Sequence, residues 1–190
     1  MVRIRRNSNR YKILECLALG TGFFVVSLIS PTSGAKIVQN IIRGYIRRKS
    51  FERQRFLKDL KHLQERKLID YHDLRDGKVK ITLTKSGKEK ILLYQLENLR
   101  LKKPVRWDRK WRLVLFDIPH EHKKARDAFR QKLKSLCFYP LQKSVFITPY
   151  PCEDEIDFLA SIFEVQNYIL LLYVSNFEGE EKLKHHFQVY

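Results

Sequence analysis

The apolar positions change period several times along the chain, and each change marks an element. Over Lys36–Arg48, residues Ile37, Val38, Ile41, Ile42, Tyr45 and Ile46 fall along one helical face. Phe51–Lys67 repeats the pattern, with Phe56, Leu57, Leu60 and Leu63 as its stripe and Ser50 as the expected N-cap. Gln54, Arg55, Lys58, Lys61 and His62 occupy the opposite arc. Leu68–His72 then reads as a short strand and Asp76-Gly77 as a tight turn, and Lys78–Thr84 alternates with period two. Lys85–Arg100 returns to helix through Ile91, Leu92, Leu96 and Leu99.

A joint follows at Leu101-Lys102-Lys103-Pro104, where proline disfavours continuation of the helix. The expected division is therefore 1–104 and 105–190. In the second part Trp111–Phe116 is a nearly unbroken apolar strand that ends in Asp117-Ile118-Pro119. His120–Leu136 has helical spacing through Ala125, Phe129, Leu133 and Leu136, and Phe138–Tyr150 is extended. Glu153–Val165 predicts a second helix, capped near Cys152–Asp154, and Asn167–Ser175 a hydrophobic strand. This order fits an α+β fold, a ferredoxin-like sandwich of βαββαβ type. Asn176–Tyr190 is a terminal appendage. An apolar edge strand such as Asn167–Ser175 invites pairing with a second copy of the chain, so a homodimer is expected.

The N-terminal segment admits two readings. Five basic residues lie in Met1–Lys12, and Cys16–Ala35 carries no charge, a layout that imitates a signal peptide or a membrane span. Glu15, the Gly20-Thr21-Gly22 interruption and the stop at Pro31-Thr32-Ser33-Gly34 favour a buried first helix instead. Membrane contact by this segment stays open as the alternative.

Charge sharpens the division. The 190 residues hold 38 Lys+Arg against 21 Asp+Glu, a net charge of +17. Met1–Pro104 accounts for 25 basic and 9 acidic residues, or +16, and the remainder for +1. One half is thus suited to a polyanion and the other is not. With 44% apolar residues the chain is too rich in core formers for a disordered one. Cys16, Cys137 and Cys152 are odd in number and widely spaced, which excludes a disulfide framework and a zinc motif and is consistent with buried reduced thiols in a cytoplasmic protein. His120, His122, His185 and His186 lack partners at ligand spacing, and no small-molecule substrate is evident.

Helix, helix, strand, turn, strand, helix is the layout of a winged helix-turn-helix. The segment resembles bacterial winged-helix regulators through Leu63–Ile69 (LQERKLI) and Leu83–Gly87 (LTKSG). The resemblance implies a recognition helix in the major groove of double-stranded DNA and a hairpin on the phosphate backbone. The candidate DNA-binding residues are Arg47, Arg48, Lys49, Arg53, Gln54, Arg55, Lys58 and Lys61 around the helix and Arg75, Lys78 and Lys80 on the hairpin. Lys and Arg neutralise phosphates, and Arg and Gln also read purine edges.

Leu113–Pro119 (LVLFDIP) followed by Leu141–Phe146 (LQKSVF) resembles the small CRISPR-associated endonuclease that partners the adaptation integrase. The continuation Val145–Pro151 (VFITPYP) is closer to the PaaX repressors, which join a winged helix to a middle domain of this type. The PaaX resemblance implies a homodimeric transcriptional repressor with no cofactor. The endonuclease resemblance implies the alternative, an Mg²⁺-dependent nuclease or spacer-adaptation factor with Asp117 as catalytic metal ligand, one from each subunit. A single strand-end Asp before a turn is also an ordinary structural choice, which weights the reading toward a non-enzyme.

Overall fold

The computed structural model describes residues 8–20, 22–29, 36–47, 50–74 and 77–190. Arg48, Lys49, Arg75, Asp76 and the Pro31–Gly34 stop lie outside the described residues, as does the side chain of Ile37. The chain divides into two compact units, one reaching Glu97 and the other starting at Asn98.

In the first unit, helix α1 spans Asn9–Leu19 and is capped by Ser8, whose hydroxyl accepts the Tyr11 N–H at 3.2 Å. It buries Tyr11, Ile13, Leu14 and Leu17. The uncharged run beyond it is not one helix. Its first residues finish α1, the helix stops at Gly20, and Phe23–Ser27 forms strand β1. The reason is local composition: Phe23-Phe24-Val25-Val26 are aromatic and β-branched residues that favour a pleated surface. Among the described residues no helix is long and apolar enough to cross a membrane.

Helix α2 (Lys36–Arg43) ends before the expected Arg48, because the chain turns at Gly44. There the Asn9 side-chain amide donates to the Gly44 carbonyl at 2.7 Å, and any Cβ at position 44 would run into that side chain. Two short strands follow, β2 (Ile46–Arg47) and β3 (Ser50–Phe51), paired antiparallel. Ser50 is therefore a strand residue and not an N-cap; the cap position of helix α3 (Arg53–Glu65) is Glu52. Strand β4 (Ile69–Leu74) and strand β5 (Lys78–Leu83) make a hairpin, β1 pairs with the other side of β5, and the sheet order is β1-β5-β4. Helix α4 (Lys85–Asn98) closes the unit.

The LTKSG segment has a physical explanation. Leu83 enters the core, and the Thr84 hydroxyl accepts the Gly87 N–H at 3.0 Å while donating to the Lys67 carbonyl at 2.6 Å. Gly87 lies against the carbonyl oxygen of Leu68, where no side chain fits. The start of α4 is thereby locked to the turn that follows α3.

The second unit contains β6 (Trp111–Phe116), α5 (Lys123–Ser135), β7 (Tyr139–Gln142), β8 (Val145–Thr148), α6 (Glu153–Phe163), β9 (Ile169–Val174) and α7 (Glu180–Phe187). The sheet order is β7-β8-β6-β9, antiparallel throughout. The extended stretch 138–150 is thus two strands with a turn at Lys143-Ser144. His120–His122 is a separate 3-10 turn ahead of α5. Phe116 meets Phe129 of α5 at 5.3 Å, so alternate residues Leu113 and Leu115 face the other way. Part of that opposite face is covered by Leu183 and Phe187 of α7, which pack around fully buried Trp111.

One member of the apolar strand β6 is charged. Arg112 is 5% exposed and donates two hydrogen bonds to Asp108, at 2.8 and 2.6 Å. It also donates to the carbonyls of Lys110 and Pro149, and Glu153 lies 3.5 Å away. Its hydrogen bonds hold the Asp108 carboxyl below the usual carboxylate range.

Candidate nucleic-acid interface

Helix α3 is fixed from behind. Phe56, Leu60 and Leu63 are fully buried, and each such side chain contributes about 1.5–3 kcal/mol of apolar transfer. Tyr45 stacks edge-on against Phe56 at 5.1 Å and donates its hydroxyl to Asp59 at 2.8 Å. Burial, with the Asp59 carboxylate beside it, pushes the Tyr45 hydroxyl pKa far up, so it stays a donor. Asp59 also pairs with Arg10 of α1 at 3.2 Å. This carboxylate therefore ties α3 to α1 and to the α2–α3 connection.

The front of α3 is what this anchoring leaves outside. Gln54, Lys58, Lys61 and Glu65 are exposed at i, i+4, i+7 and i+11, one straight row. Between Gln54 and Lys61 the helix rises about 10 Å, close to the roughly 12 Å width of the DNA major groove. Lys58 and Lys61 form no ion pair among the described residues. His62 does not share the arc expected for it. It is half-buried, and its Nε2 is enclosed with no hydrogen-bond partner among the described residues.

At the start of α3 the arrangement differs. Arg53 and Gln54 are exposed, whereas Arg55 donates to the Glu52 carboxylate at 2.9 Å. Arg47, on β2, lies 3.9 Å from the other oxygen of the same carboxylate. Glu52 was not among the expected residues. Its signal in the sequence is an acid three residues ahead of Arg55, a spacing that pairs charges on a helix.

On the hairpin, Lys78 and Lys80 alternate with buried Val79 and Ile81 and so point to solvent. Strand β1 brings Phe23 and Val25, 49% and 42% exposed, onto that same outer face. The Lys80 ammonium sits 5.3 Å over the Phe23 ring. Arg48, Lys49 and Arg75, the other expected contacts, lie outside the described residues.

Asp117 is exposed at the end of β6, its backbone N–H donating to Tyr168 at 3.0 Å. It borders an open groove of about 640 Å³ with Leu115, Ser144, Val145, Tyr168 and Leu170. Among the described residues no three His, Cys, Asp or Glu side chains come together to hold a metal ion. Within one chain Asp117 is the single carboxylate of this groove, so the magnesium reading would need the second carboxylate from another copy. The thiols are uneven in exposure: Cys152 is buried, Cys16 half-buried and Cys137 exposed, all free. Burial, aided by Glu153, pushes the Cys152 thiol up to about 12, which leaves it un-ionised and inert.

Comparison with known proteins adds one assignment. Residues 104–186 match the family described as the PaaX protein central Cas2-like domain. The match covers most of the second unit and none of the row on α3. No curated protein matches the chain.

Proposed function

We propose that this protein is a double-stranded-DNA-binding transcriptional regulator of PaaX-like repressor type. In this reading the first unit is a winged helix. Its α3 enters the major groove, the β4–β5 hairpin lies on the phosphate backbone, and the second, ferredoxin-like unit pairs two copies. The observation that carries the reading is the row Gln54–Lys58–Lys61, held outward by the buried face of α3, in which neither lysine has an ion-pair partner among the described residues. Two further features support it. The element order α1-β1-α2-β2-β3-α3-β4-β5-α4 with sheet order β1-β5-β4 is compatible with a winged helix, and the match to the PaaX central Cas2-like domain supports the reading of the other unit.

Each component has a physical role. Lysines and arginines release counterions from DNA, giving affinity with a steep salt dependence. Gln54 carries the donor–acceptor pair that reads adenine bidentately. Pairing of two copies doubles the contacts and imposes a near-palindromic site. Edge strand β9 suits this pairing, because Leu170 and Leu172 are 55% and 40% exposed beside half-buried Leu113 and Leu115.

The test is DNA selection with the full-length protein, followed by binding across a salt series. A two-fold-symmetric consensus is expected. With about six phosphates neutralised, affinity should fall roughly a thousandfold between 50 and 200 mM salt. Salt-independent binding would sink the proposal. Incubation of labelled duplex with Mg²⁺ or Mn²⁺ addresses the nuclease alternative: chelator-sensitive cleavage lost in Asp117→Ala would establish that reading instead.

A further inference from the structure

We infer that Glu52 is a specificity determinant of this interface, a built-in counterion that restrains Arg47 and Arg55 from gripping DNA indiscriminately. The inference rests on the DNA-binding reading above.

Glu52 is immobile where it matters. Its N–H donates to the Tyr45 carbonyl at 2.8 Å, and its own carbonyl accepts the Phe56 N–H at 3.1 Å. The residue is thus fixed between the β2–β3 hairpin and the first turn of α3. An acid at a helix start ordinarily bonds the free N–H groups there. The Glu52 side chain makes no such cap bond. Its two oxygens go instead to the guanidinium groups, Arg55 at 2.9 Å from one side and Arg47 at 3.9 Å from the other. Those two side chains are 58% and 79% exposed.

The electrostatic consequence is a difference between the two ends of the same helix. Lys58 and Lys61 await an external anion. Arg47 and Arg55 already have an internal one, and a phosphate approaching them meets the Glu52 carboxylate as well. Capturing them requires contacts strong enough to displace that carboxylate. A well-fitted site supplies such contacts, because α3 is seated in register by base-edge hydrogen bonds. A random duplex held only by phosphates does not. Affinity for wrong sequences is therefore suppressed more than affinity for the right one, which is how a repulsive group creates discrimination.

The experiment compares wild type with Glu52→Gln on two duplexes, the selected site and a scrambled one, each between 50 and 200 mM salt. Freeing one guanidinium for one phosphate steepens the salt slope by about 0.9. On scrambled DNA the variant-to-wild-type affinity ratio should therefore grow about threefold per bound chain as salt falls across that range, with little change on the selected site. The gain should vanish in the triple variant Glu52→Gln, Arg47→Gln, Arg55→Gln. An unchanged slope for Glu52→Gln on scrambled DNA, or a gain kept in the triple variant, overturns the inference. Circular dichroism melting checks the fold. If Glu52→Gln melts early, Glu52→Asp, whose shorter carboxylate withdraws from Arg55, must show a gain of the same sign or the inference fails. Wild-type protein that binds neither duplex with salt-dependent affinity would instead refute the DNA-binding reading itself.

Discussion

Replacing Lys58 and Lys61 together with Gln removes two positive charges from the exposed row of α3 and leaves its packing untouched. Both side chains project from the face opposite Phe56, Leu60 and Leu63, and neither has an ion-pair partner among the described residues. No ion pair among the described residues is lost, and glutamine has nearly the helix propensity of lysine. Stability should stay within about 0.5 kcal/mol of wild type. Binding should not. Each lysine that neutralises a phosphate contributes about 0.9 to the slope of log affinity against log salt. Per bound chain the pair thus accounts for a slope change of roughly 1.8, and on a half-site duplex the wild-type advantage should shrink about tenfold as salt rises from 50 to 200 mM. Fluorescence anisotropy on a labelled duplex at four salt concentrations measures it directly. A slope equal to that of wild type, with the melting curve unchanged, would refute the assignment of these lysines to phosphates.

Further outcomes follow from the packing. Gly87→Ala places a methyl group against the Leu68 carbonyl oxygen and 2.6 Å from a Leu83 methyl. The backbone there is held by the Thr84 N–H on that same carbonyl at 3.2 Å. Overpacking of about 1–3 kcal/mol should outweigh the helix-propensity gain of about 1 kcal/mol. The melting temperature of the first unit should fall by several degrees, and a rise would contradict the close approach. Arg112→Met strands the buried Pro149 carbonyl and frees Asp108. The half-exposure of Asp108 and Glu153 lets water replace part of the loss, so the cost should be about 2 kcal/mol, read from urea unfolding. Two carboxyls in this cluster are held below their usual range. Asp108 is lowered by the Arg112 hydrogen bonds. At Glu153 burial would raise the value but is outweighed by N–H bonds from Glu153 itself and Cys152. A depressed folded-state value stabilises above the unfolded carboxylate range. That contribution should therefore be complete at neutral pH and disappear as pH falls below about 4. Arg112→Met should flatten this acid limb, and an unaltered one would show that the cluster does not set it.

Periodic elements were readable in the sequence because burial on one face leaves a trace in the residue order. The stripe Phe56–Leu60–Leu63, the alternation of Lys78–Leu83 and the spacing of α5 all became what their patterns implied. Elements defined by distant partners left less trace. Strand β1 is too uniformly apolar to show alternation, and its identity depends on β5, more than fifty residues later. The β2–β3 pair has two residues per strand, too few for any period to register. Within the apolar run Trp111–Phe116 nothing marks Arg112 as buried: its main partner Asp108 is four residues away, but Pro149 and Glu153, which complete its surroundings, lie 37 and 41 residues away. At the candidate interface, residue type and arc were legible for Gln54, Lys58 and Lys61. The Glu52–Arg55 pair follows a local i, i+3 spacing, whereas the approach of Glu52 to Arg47 depends on the β2–β3 pairing, which no local pattern encodes.

The uneven charge acquires a meaning from how each unit uses its acids. Over 105–190 twelve acids stand against thirteen cations, and ion pairs join Arg112 to Asp108, Arg130 to Asp127, and Lys184 to Glu180 and Glu181. In the first unit the three acids on or beside α3 are Asp59 behind the helix, Glu52 at its start and Glu65 at its end, and none of them pairs with Lys58 or Lys61 among the described residues. The lysines of the row therefore depend on an external counterion, and pairing of two chains decides how many such rows act at once. Two α3 helices on one site should show twice the salt slope of one helix on a half-site. Leu170→Gln with Leu172→Gln makes the exposed part of the β9 face polar without adding charge. If copies associate there, light scattering should report a monomer at micromolar concentration, and the salt slope should halve. An intact slope in a monomeric protein would mean that one chain makes all the phosphate contacts, and the two-fold arrangement would have to be abandoned.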